Sequence, residues 1–76
     1  MSRYTAFNNN SGNFVAYGFD HATGYFYQEF DNETDDPVID VDSLFHGLTG
    51  VRLAEYLKNT TAKDDHIRKC ILDLEI

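Results

Sequence analysis

The stretch Phe14–Asp31, FVAYGFDHATGYFYQEFD, constrains the fold more than any other part of the chain. It places two strand-like segments on either side of the turn-forming run His21-Ala22-Thr23-Gly24, and it holds seven of the eleven aromatic residues. That pattern predicts a β-hairpin. With a four-residue loop, Gly24 at positive φ and the Asp20 side chain capping the turn, Asp20 faces Tyr25, Phe19 faces Phe26, Tyr17 faces Gln28 and Val15 faces Phe30. One face then collects Val15, Tyr17, Phe19, Phe26, Gln28 and Phe30, and is expected to form the core. The other collects Ala16, Gly18, Asp20, Tyr25, Tyr27 and Glu29, with Tyr27 covering Gly18 and the tyrosine hydroxyls in water. Shifting the register by one residue mixes Phe with Glu on both faces, which favours the first arrangement.

The flanks extend the hairpin. Residues 3–7 suit a strand, and the run Asn8 to Asn13 is a turn by composition, so a three-stranded antiparallel meander is expected. Pro37 ends the third strand, and Val38–Val41 is long enough for a fourth, edge strand. The remainder reads as helix. Asp40 or Asp42 caps a short helix with Val41, Leu44, Phe45 and Leu48 on one face. A second helix over about residues 50–59 buries Leu53, Ala54 and Leu57. Thr61 and Asp64 form a capping box that opens a third helix over about 62–73, with an apolar stripe of Ile67, Cys70, Ile71 and Leu74. The expected class is therefore α+β: three or four antiparallel strands, then two or three helices on one sheet face, in a single domain spanning residues 1–76.

The net charge of −7 is concentrated in one place. Residues 1–28 balance, as do residues 43–76. Glu29, Asp31, Glu33, Asp35, Asp36, Asp40 and Asp42 carry the whole excess, with no Lys or Arg among them. Such a field repels phosphates and argues against direct contact with nucleic acid or an anionic membrane. No apolar run approaches the roughly 20 residues of a membrane span. The N-terminal residues show no charged or apolar segment of a signal peptide, and the single Cys70 suits a reducing compartment, so a cytoplasmic location is expected.

Recognisable chemistry is sparse. A calcium loop would alternate acids up to a Gly at its sixth position, but counting from Asp31 that position is Asp36, followed by Pro37. His66 and Cys70 have the spacing of two metal ligands on one helix, yet no second pair accompanies them. The simpler reading makes Cys70 a core residue and His66 a surface residue. No nucleophile elbow, phosphate loop or contrasting carboxylate pair is present, so a non-enzymatic domain without cofactor or metal is expected. Two surfaces remain as binding candidates. The acids from Glu29 to Asp42 would meet a basic partner surface, and Tyr25 with Tyr27 would serve self-association, as a homodimer or accessory subunit.

The segments Ala16-Tyr17-Gly18-Phe19-Asp20, Gly24-Tyr25-Phe26 and Asp42-Ser43-Leu44-Phe45-His46-Gly47-Leu48 resemble those of small uncharacterised bacterial proteins of similar length. The size, acidity and sheet-then-helix order, with Phe45-His46-Gly47-Leu48-Thr49-Gly50 leading into a helix, resemble small phage-encoded anti-CRISPR proteins. That resemblance implies an acidic mimic of nucleic acid that presents carboxylates to a basic groove. The expectation is thus a protein–protein interaction module carried by the seven acids.

Overall fold

The hairpin turn decides the sheet. In the computed structural model, which describes residues 1–76, the loop is one residue shorter than the sequence suggests. Gly24, at φ +80°, already pairs with Asp20, whose Oδ1 accepts from the Ala22 N–H at 2.8 Å. A left-handed Gly closing a three-residue loop is a favoured hairpin geometry. Strand β2 (Phe14–Asp20) and strand β3 (Gly24–Phe30) therefore match Phe19 with Tyr25, Tyr17 with Tyr27 and Val15 with Glu29.

This corrects the expected register by one residue, and because strand side chains alternate, every residue of β3 changes sides. Val15, Tyr17 and Phe19 stay on the inner face as expected. Tyr25, Tyr27 and Glu29 join them, while Phe26, Gln28 and Phe30 turn outward, and Phe26 rather than Tyr27 lies across from Gly18. Strand β1 (Tyr4–Phe7) and strand β4 (Ile39–Asp42) complete an antiparallel sheet of order β1-β2-β3-β4. The fourth strand is the one read at residues 38–41, moved along by one residue.

Three helices follow: α1 (Ser43–His46), α2 (Gly50–Leu57) and α3 (Asp64–Ile71). Asp42 caps α1 by accepting from the Phe45 N–H at 2.7 Å, and Thr49 caps α2 by accepting from the Arg52 N–H at 3.2 Å. The expected capping box at α3 does not form. Thr61 Oγ1 instead accepts from the Phe7 N–H at 2.9 Å, and the Thr61 N–H donates to the Phe7 carbonyl. The α2–α3 connection thereby covers the free edge of β1, which would otherwise be open to pairing.

The core lies between the sheet and the helices. Val15, Tyr17, Tyr25 and Tyr27 from the sheet meet Leu48, Leu53, Ala54, Leu57 and Cys70 from the helical side. Helices α2 and α3 approach backbone to backbone, because a side chain at Gly50 would collide with the Cys70 carbonyl. Two helical stripes differ from expectation. Leu44 and Phe45 of α1 are exposed, and on α3 the buried residues are His66 and Cys70, with Ile71 and Leu74 outside. Helix α1 is one turn long and touches β3 and β4 through its Ser43 end, leaving Leu44 and Phe45 uncovered. Helix α3 turns its His66 edge inward because a polar partner, Tyr17, awaits it there.

Candidate partner-binding face

The inner layer takes all five tyrosines. Tyr4 and Tyr17 are neighbours across β1 and β2, Tyr25 and Tyr27 lie on β3, and Tyr56 of α2 stacks on Tyr27 with ring centroids 4.5 Å apart. Tyr17, Tyr25 and Tyr27 are buried, so they form no exposed patch for self-association, which corrects that expectation. Each hydroxyl has a partner. Tyr17 bonds His66 Nδ1 at 2.7 Å, Tyr25 donates to the Leu74 carbonyl at 2.9 Å, and Tyr27 donates to Glu29 Oε1 at 2.7 Å. A tyrosine whose hydroxyl is satisfied is a core residue like any other. His66 sits 4.1 Å from the Tyr4 ring, and burial lowers its pKa, so it is an interior residue rather than a surface one. Its Nδ1 is taken by Tyr17, and burial pushes the neighbouring Cys70 thiol up to about 11.

Glu29 also points inward, only 7% exposed. Besides Tyr27, it accepts from Asn8 Nδ2 at 3.2 Å and Asn13 Nδ2 at 2.9 Å. Burial alone would raise its pKa, but the three donors together outweigh burial and hold the carboxyl below its ordinary range. The same contacts push the Tyr27 hydroxyl upward, burial first and the bond to Glu29 second. Glu29 is thus the anchor of the Asn8–Asn13 turn, and leaves the set of outward acids proposed from sequence.

The other six acids stay outside. Asp40 and Asp42 share the outer sheet face with Gln28 and Phe26, their neighbours in register. Asp31, Glu33, Asp35 and Asp36 occupy the β3–β4 loop at the end of that face. Asp31 Oδ1 accepts from the Glu33 and Thr34 N–H groups at 3.0 and 3.1 Å, and Thr34 Oγ1 donates to the Asp36 carbonyl at 3.0 Å. These bonds hold the loop in a defined shape. The carboxylates of Asp31, Glu33, Asp35, Asp36 and Asp40 make no ion pair, and Asp42, besides capping α1, has only His46 as a basic neighbour, at 3.5 Å.

The outer face carries a second feature, one member of which, Phe30, the sequence reading placed inside. Phe7, Phe14 and Phe30 stand in one row across β1, β2 and β3, with centroid separations of 5.9 and 6.1 Å. Phe7 is 54% and Phe14 39% exposed, and Val38, next to the row, is 50% exposed. Further along the face Arg3 reaches over the Phe26 ring at 6.0 Å and donates to Gln28 Oε1 at 3.3 Å. No helix covers this side of the sheet. With Asp20 included, the face and its loop hold seven carboxylates against the one guanidinium of Arg3, whereas the helical segment 43–76 holds five bases and five acids. Only the corrected register brings Phe30 beside Phe14, since its side depends on the parity set by Gly24.

No helix of the chain is long and apolar enough to cross a membrane. No protein-family model matches the sequence, and neither the curated proteins nor the solved structures yield a match.

Proposed function

We propose that the chain is a non-enzymatic interaction module that docks the outer face of its sheet on a basic protein surface. The observation that carries this reading is the outward phenylalanine row Phe7–Phe14–Phe30, exposed at Phe7 and Phe14, running into an unpaired acidic loop. Exposed contiguous aromatic surface is unfavourable for a solitary small domain and marks a site that a partner covers. The surrounding carboxylates select the partner's sign. They accelerate encounter with a Lys/Arg-rich surface and make binding depend on salt. A groove that otherwise holds a nucleic-acid backbone has that chemistry, and occupying it would make the chain a competitor of nucleic acid.

The test uses the full chain as bait to capture and identify a partner, followed by affinity measurements across a salt titration. Replacing Asp31, Asp35 and Asp36 together by Asn flattens the salt dependence, and Phe7→Ser with Phe14→Ser weakens binding by about tenfold or more. Nucleic acid added to the complex competes. Wild-type affinity in both variants would remove the proposal. Sedimentation of the isolated chain checks whether the partner is a second copy: a dimer dissolved by the Phe variant and insensitive to the Asn variant would replace the basic partner with self-association.

A further inference from the structure

The carboxylate that turned inward opens a second question on the other side of the sheet. A cleft of about 340 Å³ lies between the β3–β4 strands and helix α2, and Glu29 lines it. Asn8 and Asn10 of the β1–β2 turn form one rim, and Glu55, Tyr56 and Asn59 form the other. Its volume falls in the range of small-molecule sites. We propose that this cleft binds an organic cation, an alkylguanidinium or alkylammonium group, between Glu29, Glu55 and the ring of Tyr56.

Three observations converge on that chemistry. Glu29 Oε1 accepts two hydrogen bonds, from Asn8 and Tyr27, whereas Oε2 accepts one, from Asn13, and so retains acceptor capacity. Its three donors are neutral, and no Lys, Arg or His pairs with it or with Glu55. The half-exposed Tyr56 ring, held by stacking on buried Tyr27 at 4.5 Å and 17°, stands beside these carboxylates, and acid with aromatic face is the combination that recognises organic cations. Arg52, also on the cleft wall, makes no side-chain hydrogen bond or ion pair, so it does not fill the position. An anionic ligand would face two carboxylates against that single guanidinium. The inference is independent of the outer face, because Glu55 and Tyr56 belong to the helical side and lie outside the phenylalanine row.

The experiment is an NMR titration of the labelled full chain with agmatine, with an arginine-amide dipeptide, and with butylurea as the uncharged counterpart. Both cations should produce saturable shifts at the amides of Asn8, Asn10, Asn59 and Glu55, and butylurea should not. Glu55→Gln should weaken binding by up to about fivefold, the scale of one exposed charge pair. Tyr56→Leu should cost about two- to fivefold through the lost aromatic face. Both substitutions leave the three donors of Glu29 in place, and because Tyr56 packs on buried Tyr27 a melting curve of each variant separates lost binding from lost folding. Tighter binding of the dipeptide identifies the ligand as a side chain of a protein, and tighter binding of agmatine identifies a free amine. Absence of saturable shifts with either cation, equal shifts with butylurea, or indifference to both substitutions would overturn the proposal.

Discussion

The two faces of the sheet have exchanged the residues that hydrophobicity alone would assign to them. The covered face carries the tyrosines, a histidine partner and a glutamate, while the open face carries four of the six phenylalanines. Neither arrangement leaves a polar debt inside: every buried side-chain nitrogen and oxygen has a partner. A buried hydroxyl with a good acceptor costs little, and its ring contributes nearly the same apolar area as phenylalanine. Phenylalanine on the open face has no such compensation. The difference teaches that the inner face is held together by satisfied polar contacts, while the outer face keeps aromatic surface that the monomer itself does not cover.

The comparison breaks most visibly at Tyr27. Tyr27→Ala removes a fully buried ring and the bond to Glu29, and should cost about 3–5 kcal/mol in denaturant unfolding, close to the whole stability of so small a domain. A loss below about 1 kcal/mol would mean the tyrosine layer is not the core. Tyr27→Phe is the sharper test, since it makes the interior more apolar. It should nevertheless destabilise by about 1–3 kcal/mol, because buried Glu29 loses a donor. A stabilised Tyr27→Phe would show that the Glu29 network is dispensable.

Acidity probes the same layer with a smaller slope, at most about 1.4 kcal/mol per pH unit for each proton. The folded-state pKa of His66 is lowered, by burial first and by Lys63 next, with Lys69 in the same sense and Asp65 opposing. As pH falls below about 6.5, the unfolded chain takes up a proton that the folded state resists, and stability declines. Glu29 adds a second decline as pH falls below about 4.5 toward its lowered folded-state pKa. His66→Gln should flatten the upper part of the stability curve and leave the lower part intact. An unchanged upper part would show that His66 titrates normally in the fold.

On the outer face the expected effect on folding is smallest. Phe7→Ser should cost about 1 kcal/mol, the scale of one half-exposed cross-strand aromatic pair. A loss of several times that amount would make the row part of the monomer's own packing and remove the reason to assign it a partner.

Much of the architecture is legible in the linear chain. The hairpin shows in the two strand-like segments about His21–Gly24, the short fourth strand in Val38–Val41 after Pro37, and α2 in Leu53, Ala54 and Leu57. These features rest on local preferences, and a sheet followed by helices satisfies all of them. The caps at Asp42 and Thr49 are likewise local. The candidate site was only half legible. The acidic loop is visible as a run of like charge, and its position at one end of the sheet follows from its place between strands.

What only the tertiary structure decided was the parity of β3. Whether Gly24 closes a four-residue loop or already pairs with Asp20 is a difference of one residue, and local preference does not separate the two. The choice is made by groups distant in sequence: His66 for Tyr17, Leu74 for Tyr25, and Asn8 and Asn13 for Glu29. Polar side chains become acceptable in a core when their partners arrive from elsewhere in the chain. That is a property of the packed molecule, and it is why Phe26 and Phe30 were left outside.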